Sequence, residues 1–171
     1  MYDKNLYIDG RMLALSEKPY FIADVGANHD GSLDRAFKLI ELAKESGADA
    51  VKFQNFIAHK IVSKHGFENL NANSTHQSGW KKSVYDTYVD ASISMEWTAS
   101  IVEKCKEMEI TYFTSAYDFD SVDHVEEYLD AYKIGSGDIT WIEILTYIAK
   151  KNKTVLLATG AASSQDVSRS V

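Results

Sequence analysis

Three features of this sequence predict an α/β fold with parallel strands. Short apolar segments alternate with amphipathic helical stripes five times between residues 20 and 171, the pattern of right-handed β-α-β crossovers. Polar residues collect where the apolar segments end, at Asp24, Gln54, Ser115, Ser136 and Thr159, the position at which parallel α/β folds build their sites. Two segments also carry a lysine mid-strand, Lys52 and Lys133. On the second and fourth strands of a barrel these two would share an interior layer. An open doubly wound sheet fits less well, because its first loop should be a glycine-rich phosphate cradle and Gly26-Ala-Asn-His-Asp-Gly31 is not G-x-G-x-x-G. The expectation is therefore the first five parallel strands of a (β/α)8 TIM-type barrel. Residues 1–19 form an N-terminal β-hairpin, and residues 20–171 form the N-terminal portion of a barrel that is incomplete at five strands.

Each element has its own signal. Asp9-Gly10 between Leu6-Tyr-Ile8 and Arg11-Met-Leu-Ala-Leu15 marks a two-residue hairpin turn. Tyr20 to Gly26 reads as a buried strand interrupted by Asp24. Ser32 is placed to cap a helix whose stripe is Leu33, Ala36, Phe37, Ile40 and Ala43, ending at Gly47. In Ala50-Val-Lys-Phe-Gln54, alternation sends Ala50, Lys52 and Gln54 to one face and Val51 and Phe53 to the other. A polar excursion follows, with His59, His65, Asn69 to Ser74 and His76, before Trp80, Val84 and Tyr88 mark a short helix; so long an insertion reads as a lid or binding loop. Ser94 and Glu96 predict a helix through Met108, ahead of the strand Ile110 to Ser115. Asp118 opens a helix with Val122, Val125, Tyr128 and Leu129 inward, ahead of Ala131-Tyr-Lys-Ile-Gly135. Thr140 and Glu143 predict a capping box for Trp141 to Lys150, Thr154 to Ala158 is the fifth strand, and Ser163 with Asp166 is a second capping box.

Composition narrows the function. The chain has 171 residues, 45% of them hydrophobic, enough for one core. A net charge of −7 argues against nucleic acid, whose phosphates require a basic surface. No apolar run reaches membrane-spanning length, and Met1-Tyr-Asp-Lys-Asn5 lacks the basic and apolar regions of a signal peptide, so the expected compartment is the cytoplasm. The single cysteine, Cys105, is spaced with Ile101 and Met108 on an apolar helix face and reads as a core residue rather than a nucleophile.

Against that acidic average, the inward lysines stand out. An ammonium group removed from water needs a counter-charge, so two of them facing one interior imply an anion between them; each alone also reads as a side chain that snorkels to the rim. Gly135-Ser136-Gly137 follows Lys133 directly, and such small residues let backbone N–H groups and a hydroxyl approach a phosphate. Asp24 reads either as a carboxylate bonded to loop amides or as one that orients a substrate hydroxyl, a water or a metal. Asn28 and His29 are placed to line the same mouth. The histidine spacings include no zinc-helix pair, so no metal site is expected from this chain alone.

Four ordered stretches, Phe21 to Gly31, Gly47 to Gln54, Ala131 to Asp138 and Leu157 to Gly160, resemble the N-acetylneuraminate (sialic acid) synthase family. The resemblance runs from about Leu6 to the last residue. It implies a (β/α)8 barrel enzyme of carbohydrate biosynthesis, a transferase that uses phosphoenolpyruvate, with a divalent metal ion such as Mn or Mg whose ligands lie outside this chain, and a homodimeric full-length protein. It further implies that Lys52, Lys133, Ser115 and Ser136 hold phosphoenolpyruvate, that Asp24, Lys52 and Lys133 serve catalysis, and that Gln54, Asn28, His29 and Asp138 face an N-acylated sugar. Asp24 and Asp138 stand where the family usually has glutamate, Ala158 replaces a serine, and Ala116-Tyr117 replaces a common Pro-Phe.

The implied reaction is attack of phosphoenolpyruvate C3 on the open-chain aldehyde of an N-acylated sugar, then water addition at C2 and loss of phosphate, giving a nine-carbon 2-keto acid. Two other readings of the residues stay open: a Schiff-base aldolase using Lys52 or Lys133, and a non-catalytic half-barrel that binds a phosphorylated ligand. As a fragment of a larger synthase the isolated chain is expected to be inactive and to self-associate.

Overall fold

A computed structural model describes residues 6–68 and 80–171. Met1 to Asn5, the run Asn69 to Ser74 and His76 lie outside the described residues. The N-terminal hairpin pairs β1 (Leu6–Ile8) with β2 (Arg11–Leu13). Asp9 and Gly10 both have positive φ, 50° and 72°, the left-handed pair that a tight turn matching strand twist needs.

One parallel sheet follows, in the order β3 (Ile22–Gly26), β4 (Ala50–Asn55), β5 (Thr111–Ala116), β6 (Ala131–Ile134) and β7 (Thr154–Leu157). Each strand pairs with the next in sequence, so the sheet is singly wound. A doubly wound sheet would reverse its order at a switch point; this one advances in one direction, as a barrel wall does. The helices that return the chain are α1 (Leu33–Glu45), α5 (Thr98–Glu107), α6 (Phe119–Val125) and α7 (Ile142–Ala149), with α8 (Ser164–Ser170) after β7. Between β4 and α5 the polar excursion folds into α2 (Ala58–Ile61), α3 (Lys64–Glu68) and α4 (Val84–Ala91). Among the described residues no helix is long and apolar enough to cross a membrane.

The two faces of the sheet differ as alternation requires. Val51, Phe53, Tyr112, Tyr132 and Ile134 pack against the helices in the main core, with Ala36, Ile40, Ile101, Val122, Val125 and Ile148. Cys105 belongs to this core, and burial pushes its thiol up to about 12. On the other face Ile8 of the hairpin joins Ala50, Phe113 and Ala131 in a second cluster, with Ile22 and Leu156 packed against it. The register resolves this cluster into layers. Ile22, Phe113 and Leu156 come from β3, β5 and β7, and Ala50 and Ala131 from β4 and β6, each stepped two residues along the hydrogen-bonded rows. Alternate strands filling alternate layers is the barrel arrangement.

Several caps follow the sequence. Ser32 accepts from Arg35 N, Asp118 from Ser121 N, and Ser163 and Asp166 form the full capping box. Two differ. Ser94 precedes a 3₁₀ turn, Met95–Trp97, without a side-chain cap bond, and α5 begins only at Thr98. The predicted Thr140–Glu143 box does not form: Trp141 N–H donates to Asp138 O, extending the loop, and α7 starts at Ile142 with Trp141 as its uncapped first flank. Trp141 is held there by an edge contact to Phe119, 5.5 Å between ring centroids. Trp80 lies outside α4, whose N-cap is Ser83.

Candidate functional site

One alternation above the apolar layers, the same strands change chemistry. Lys52 follows Ala50 on β4, Ser115 follows Phe113 on β5, and Lys133 follows Ala131 on β6. By the same two-residue step, Lys52 and Lys133 share one layer, while Asp24, Ser115 and Ala158 form the next. Lys52 is nearly buried, its side chain 11% exposed, and its Nζ lies 2.8 Å from Asp24 Oδ1, whose side chain is 64% exposed. Lys133 has no such partner among the described residues. Its Nζ donates to the carbonyl of Ile134, 2.9 Å away. Burial and the charge of Lys52 both lower the Lys133 pKa, against the pull of Asp24 and Asp138. Of the two, only Lys52 is in ion-pair contact with a carboxylate, so the ammonium group of Lys133 is left for a bound anion to meet.

The mouth above them is shaped by glycine at two positions. A register shift between Asp24 and Gly26 puts Gly26 opposite Phe53, and its φ of +56° turns the chain out of β3 in a conformation that side chains rarely adopt. There the Asp24 carboxylate and the Gln54 amide both approach Gly26 closely; a Cβ would lie 3.6 Å from the first and 3.7 Å from the second. At Gly135 a Cβ would lie 3.1 Å from Asp138 Oδ2 and 3.6 Å from the Tyr117 hydroxyl. Burial raises the Asp138 pKa, offset in part by Lys133.

A cleft of about 490 Å³ opens beside this point, lined by the polar Gln54, Tyr117 and Gly135 to Asp138 and by the apolar or aromatic Phe56, Ile61, Val62, Phe67 and Tyr88. Thus Gln54, Ser136 and Asp138 line one cleft, with Lys133 and Ser115 on the strands beneath it. Asn28 is exposed in the β3–α1 loop, its carbonyl accepting from Arg35 Nε. His29 is placed differently from the expectation. It is fully buried, its Nδ1 accepts from Gly31 N–H and its ring meets Trp97 edge-on. Loop polarity suggested a wall residue; the ring instead fills the gap between that loop and the start of α5, and burial lowers its pKa. The sequence reading did not assign Phe56 or Tyr117 to the cleft, and it gave Asp118 only a capping role. Asp118 is 2% exposed and also accepts from Ile57 N–H at 2.9 Å, tying the β4 exit to the β5 exit.

Among the described residues no three His, Cys, Asp or Glu side chains converge. At the mouth Lys52 is paired with Asp24 while Lys133 bonds only the Ile134 carbonyl, an arrangement that suits an anion better than a cation.

Comparison with known proteins places this geometry. A sequence model of the NeuB family matches residues 39–171. The chain belongs to the NeuB family. It is 36% identical over 155 residues to an N,N'-diacetyllegionaminic acid synthase of Campylobacter jejuni, covering 88% of this chain and 45% of that protein. It is 33% identical over 149 residues to the spore coat polysaccharide biosynthesis protein SpsE of Bacillus subtilis, covering 86% and 39%. The crystal structure of SpsE matches with a TM-score of 0.76 at 29% identity over 97% of this chain and 43% of that one. An N-acetylneuraminic acid synthetase structure from Leptospira borgpetersenii shares the fold, with a TM-score of 0.83 at 20% identity over 97% and 53%. This NeuB-family chain spans less than half the length of those two curated relatives.

Proposed function

We propose that this chain supplies the phosphoenolpyruvate side of a synthase that condenses phosphoenolpyruvate with an N-acylated sugar aldehyde, giving a nine-carbon 2-keto sugar acid and phosphate. The observation that carries this is the single interior layer of Lys52 and Lys133, in which Lys52 is ion-paired to Asp24 and Lys133 has no ion pair among the described residues. Lys52 and Lys133 would neutralise the phosphate and carboxylate, and Ser115 and Ser136 would donate to their oxygens. Fixing the enol ester by both anionic ends leaves C3 free to meet the aldehyde carbon, which is positioning rather than covalent help. As the C3–carbon bond forms, the aldehyde oxygen takes up a proton and C2 becomes electrophilic; water adds there and phosphate leaves. Asp24, held by Lys52 at the rim, is placed to orient that water or the sugar hydroxyls. Gln54 and Asp138 face the sugar from the cleft wall, and Asn28 from the loop beside it. A divalent metal implied by the family would take its ligands from outside this chain. Relatives that match at 36% and 31% identity are named as N,N'-diacetyllegionaminic acid synthases, which supports an acceptor bearing N-acyl groups.

The test is phosphate release from phosphoenolpyruvate by the full-length protein that carries this chain, with the acceptor varied. Release that requires an N-acylated sugar supports the synthase; binding without release under any acceptor supports a binding module. The lowered Lys133 pKa is the one observation that favours a Schiff-base aldolase. Incubation with pyruvate and borohydride separates them, since only the aldolase leaves a reduced lysine adduct.

A further inference from the structure

Behind the site, on the helix side of the sheet, buried polar groups join the two strands that carry Gln54 and Ser115. Those two residues lie opposite each other in the register, and the pairing continues to Tyr117, whose N–H donates to Asn55 O at 3.0 Å. Asn55 is fully buried, and its Oδ1 accepts from Thr114 Oγ1 at 2.7 Å and from the Tyr112 hydroxyl at 3.3 Å. Two residues on, Ile57 N–H donates to Asp118 Oδ2 at 2.9 Å. The β4 exit is thus held to the β5 exit on both sides of Phe56. We propose that Asp118 is a positioning residue, stapling Ile57 to the β5 exit and so holding Gln54 at a fixed separation from Ser115. This rests on the synthase reading of the site, in which Gln54 faces the sugar and Ser115 faces phosphoenolpyruvate.

A helix cap alone does not account for Asp118. Its Oδ1 caps α6 by accepting from Ser121 N–H at 3.0 Å. One oxygen suffices for that, and a serine supplies it about as well without burying a charge. The second oxygen accepts from the Ser121 hydroxyl at 2.8 Å and from Ile57, 61 residues away in the sequence. Charge-assisted bonds of this kind offset the burial of a carboxylate, and here one of them spans two strand exits. Ile57 is also the N-cap of α2, and Ile61 and Val62 at the far end of that helix line the cleft. The staple therefore sets the start of that wall as well. Lys52 and Lys133 lie one layer below Ser115 and hold the anion without it. Losing the staple spares phosphoenolpyruvate binding but lets the two reactants drift out of line, and a misplacement of about 1 Å costs on the order of a hundredfold in rate.

Steady-state kinetics, phosphoenolpyruvate titration and amide hydrogen exchange on the full-length protein test this with three variants. Asp118→Ser keeps the α6 cap and loses the reach to Ile57. Asp118→Asn keeps the shape and turns one acceptor oxygen into a donor. Ser121→Ala removes the other partner of Oδ2 and leaves the Ile57 bond. In both Asp118 variants kcat should fall at least about tenfold, the phosphoenolpyruvate Kd should stay within about twofold of wild type, and the Ile57 amide should exchange faster. Ser121→Ala should match the wild type in all three within about twofold. Unchanged kcat in the Asp118 variants overturns the proposal. So does an equal loss of phosphoenolpyruvate affinity, the mark of a fold loosened as a whole, or failure of both variants to fold. An Ile57 amide that exchanges as in the wild type overturns it too. A wild type that releases no phosphate with any N-acylated acceptor overturns the synthase reading alone, and the Ile57 amide then decides the staple.

Discussion

On the interior face of the sheet, the two lower layers and the two layers above them do opposite work. Ala50, Phe113 and Ala131 are at most 1% exposed and close the bottom under the hairpin. Two residues further along the same strands, Lys52, Ser115 and Lys133 carry charge and hydroxyls. Backbone, register and neighbours are shared, so the difference lies in the side chains alone. The lower level is designed for burial; the upper one keeps desolvated charge that burial disfavours. Keeping such charge there is the signature of a binding layer resting on a structural one.

Truncating the lower level carries the largest expected effect. Phe113→Ala removes a ring that is 1% exposed and should cost about 3–5 kcal/mol of folding stability, read by urea denaturation. A loss under about 1 kcal/mol would mean that the hairpin and sheet do not close a packed layer.

Lys133→Met sharpens the contrast from above. The folded Lys133 pKa lies below its ordinary 10.5, so in the window between the two values the unfolded chain holds more protons. Stability of the wild type then rises with pH through that window, and the penalty is fully present below the folded value. Lys133→Met should be more stable than wild type at pH 7, and the gap should narrow as pH rises towards 10.5. A gap that does not change with pH would show that Lys133 is not desolvated.

His29 is the comparable case outside the site. Its folded pKa lies below 6.5, so stability falls as pH drops from 6.5 towards the folded value, where the unfolded chain binds the proton first. His29→Gln should flatten the stability profile in that acid window. An unchanged acid slope would place the titration elsewhere. Asp24→Asn has the smallest expected effect on stability, under about 1 kcal/mol because its carboxylate is largely solvated. Phosphoenolpyruvate binding should persist in this variant, and its loss would make Asp24 part of the anion site.

What the sequence made legible was local. The Asp9-Gly10 turn, the Ser32 and Ser163 caps and the two-faced strands each depend on residues within a few positions of one another. The lysine layer was legible as well, because strand alternation and barrel layering are periodic rules. The burial of His29 against Trp97 was not, nor was the packing of Phe56 on Tyr88 and Tyr117, because those contacts join segments 32 to 68 residues apart. The failed Thr140–Glu143 box shows the limit from the other side. A local motif was present, and a turn bonded to Asp138 O with Trp141 packed on Phe119 displaced it.

The central claim is that Lys52 and Lys133 form one anion site, and calorimetric titration of phosphoenolpyruvate into the wild type, Lys52→Ala and Lys133→Ala tests it most directly. The wild type should bind a single equivalent, and each substitution should weaken binding by on the order of 2 kcal/mol or more, the scale for removing one partner of a desolvated charged contact. Wild-type affinity retained in either variant would contradict a shared site.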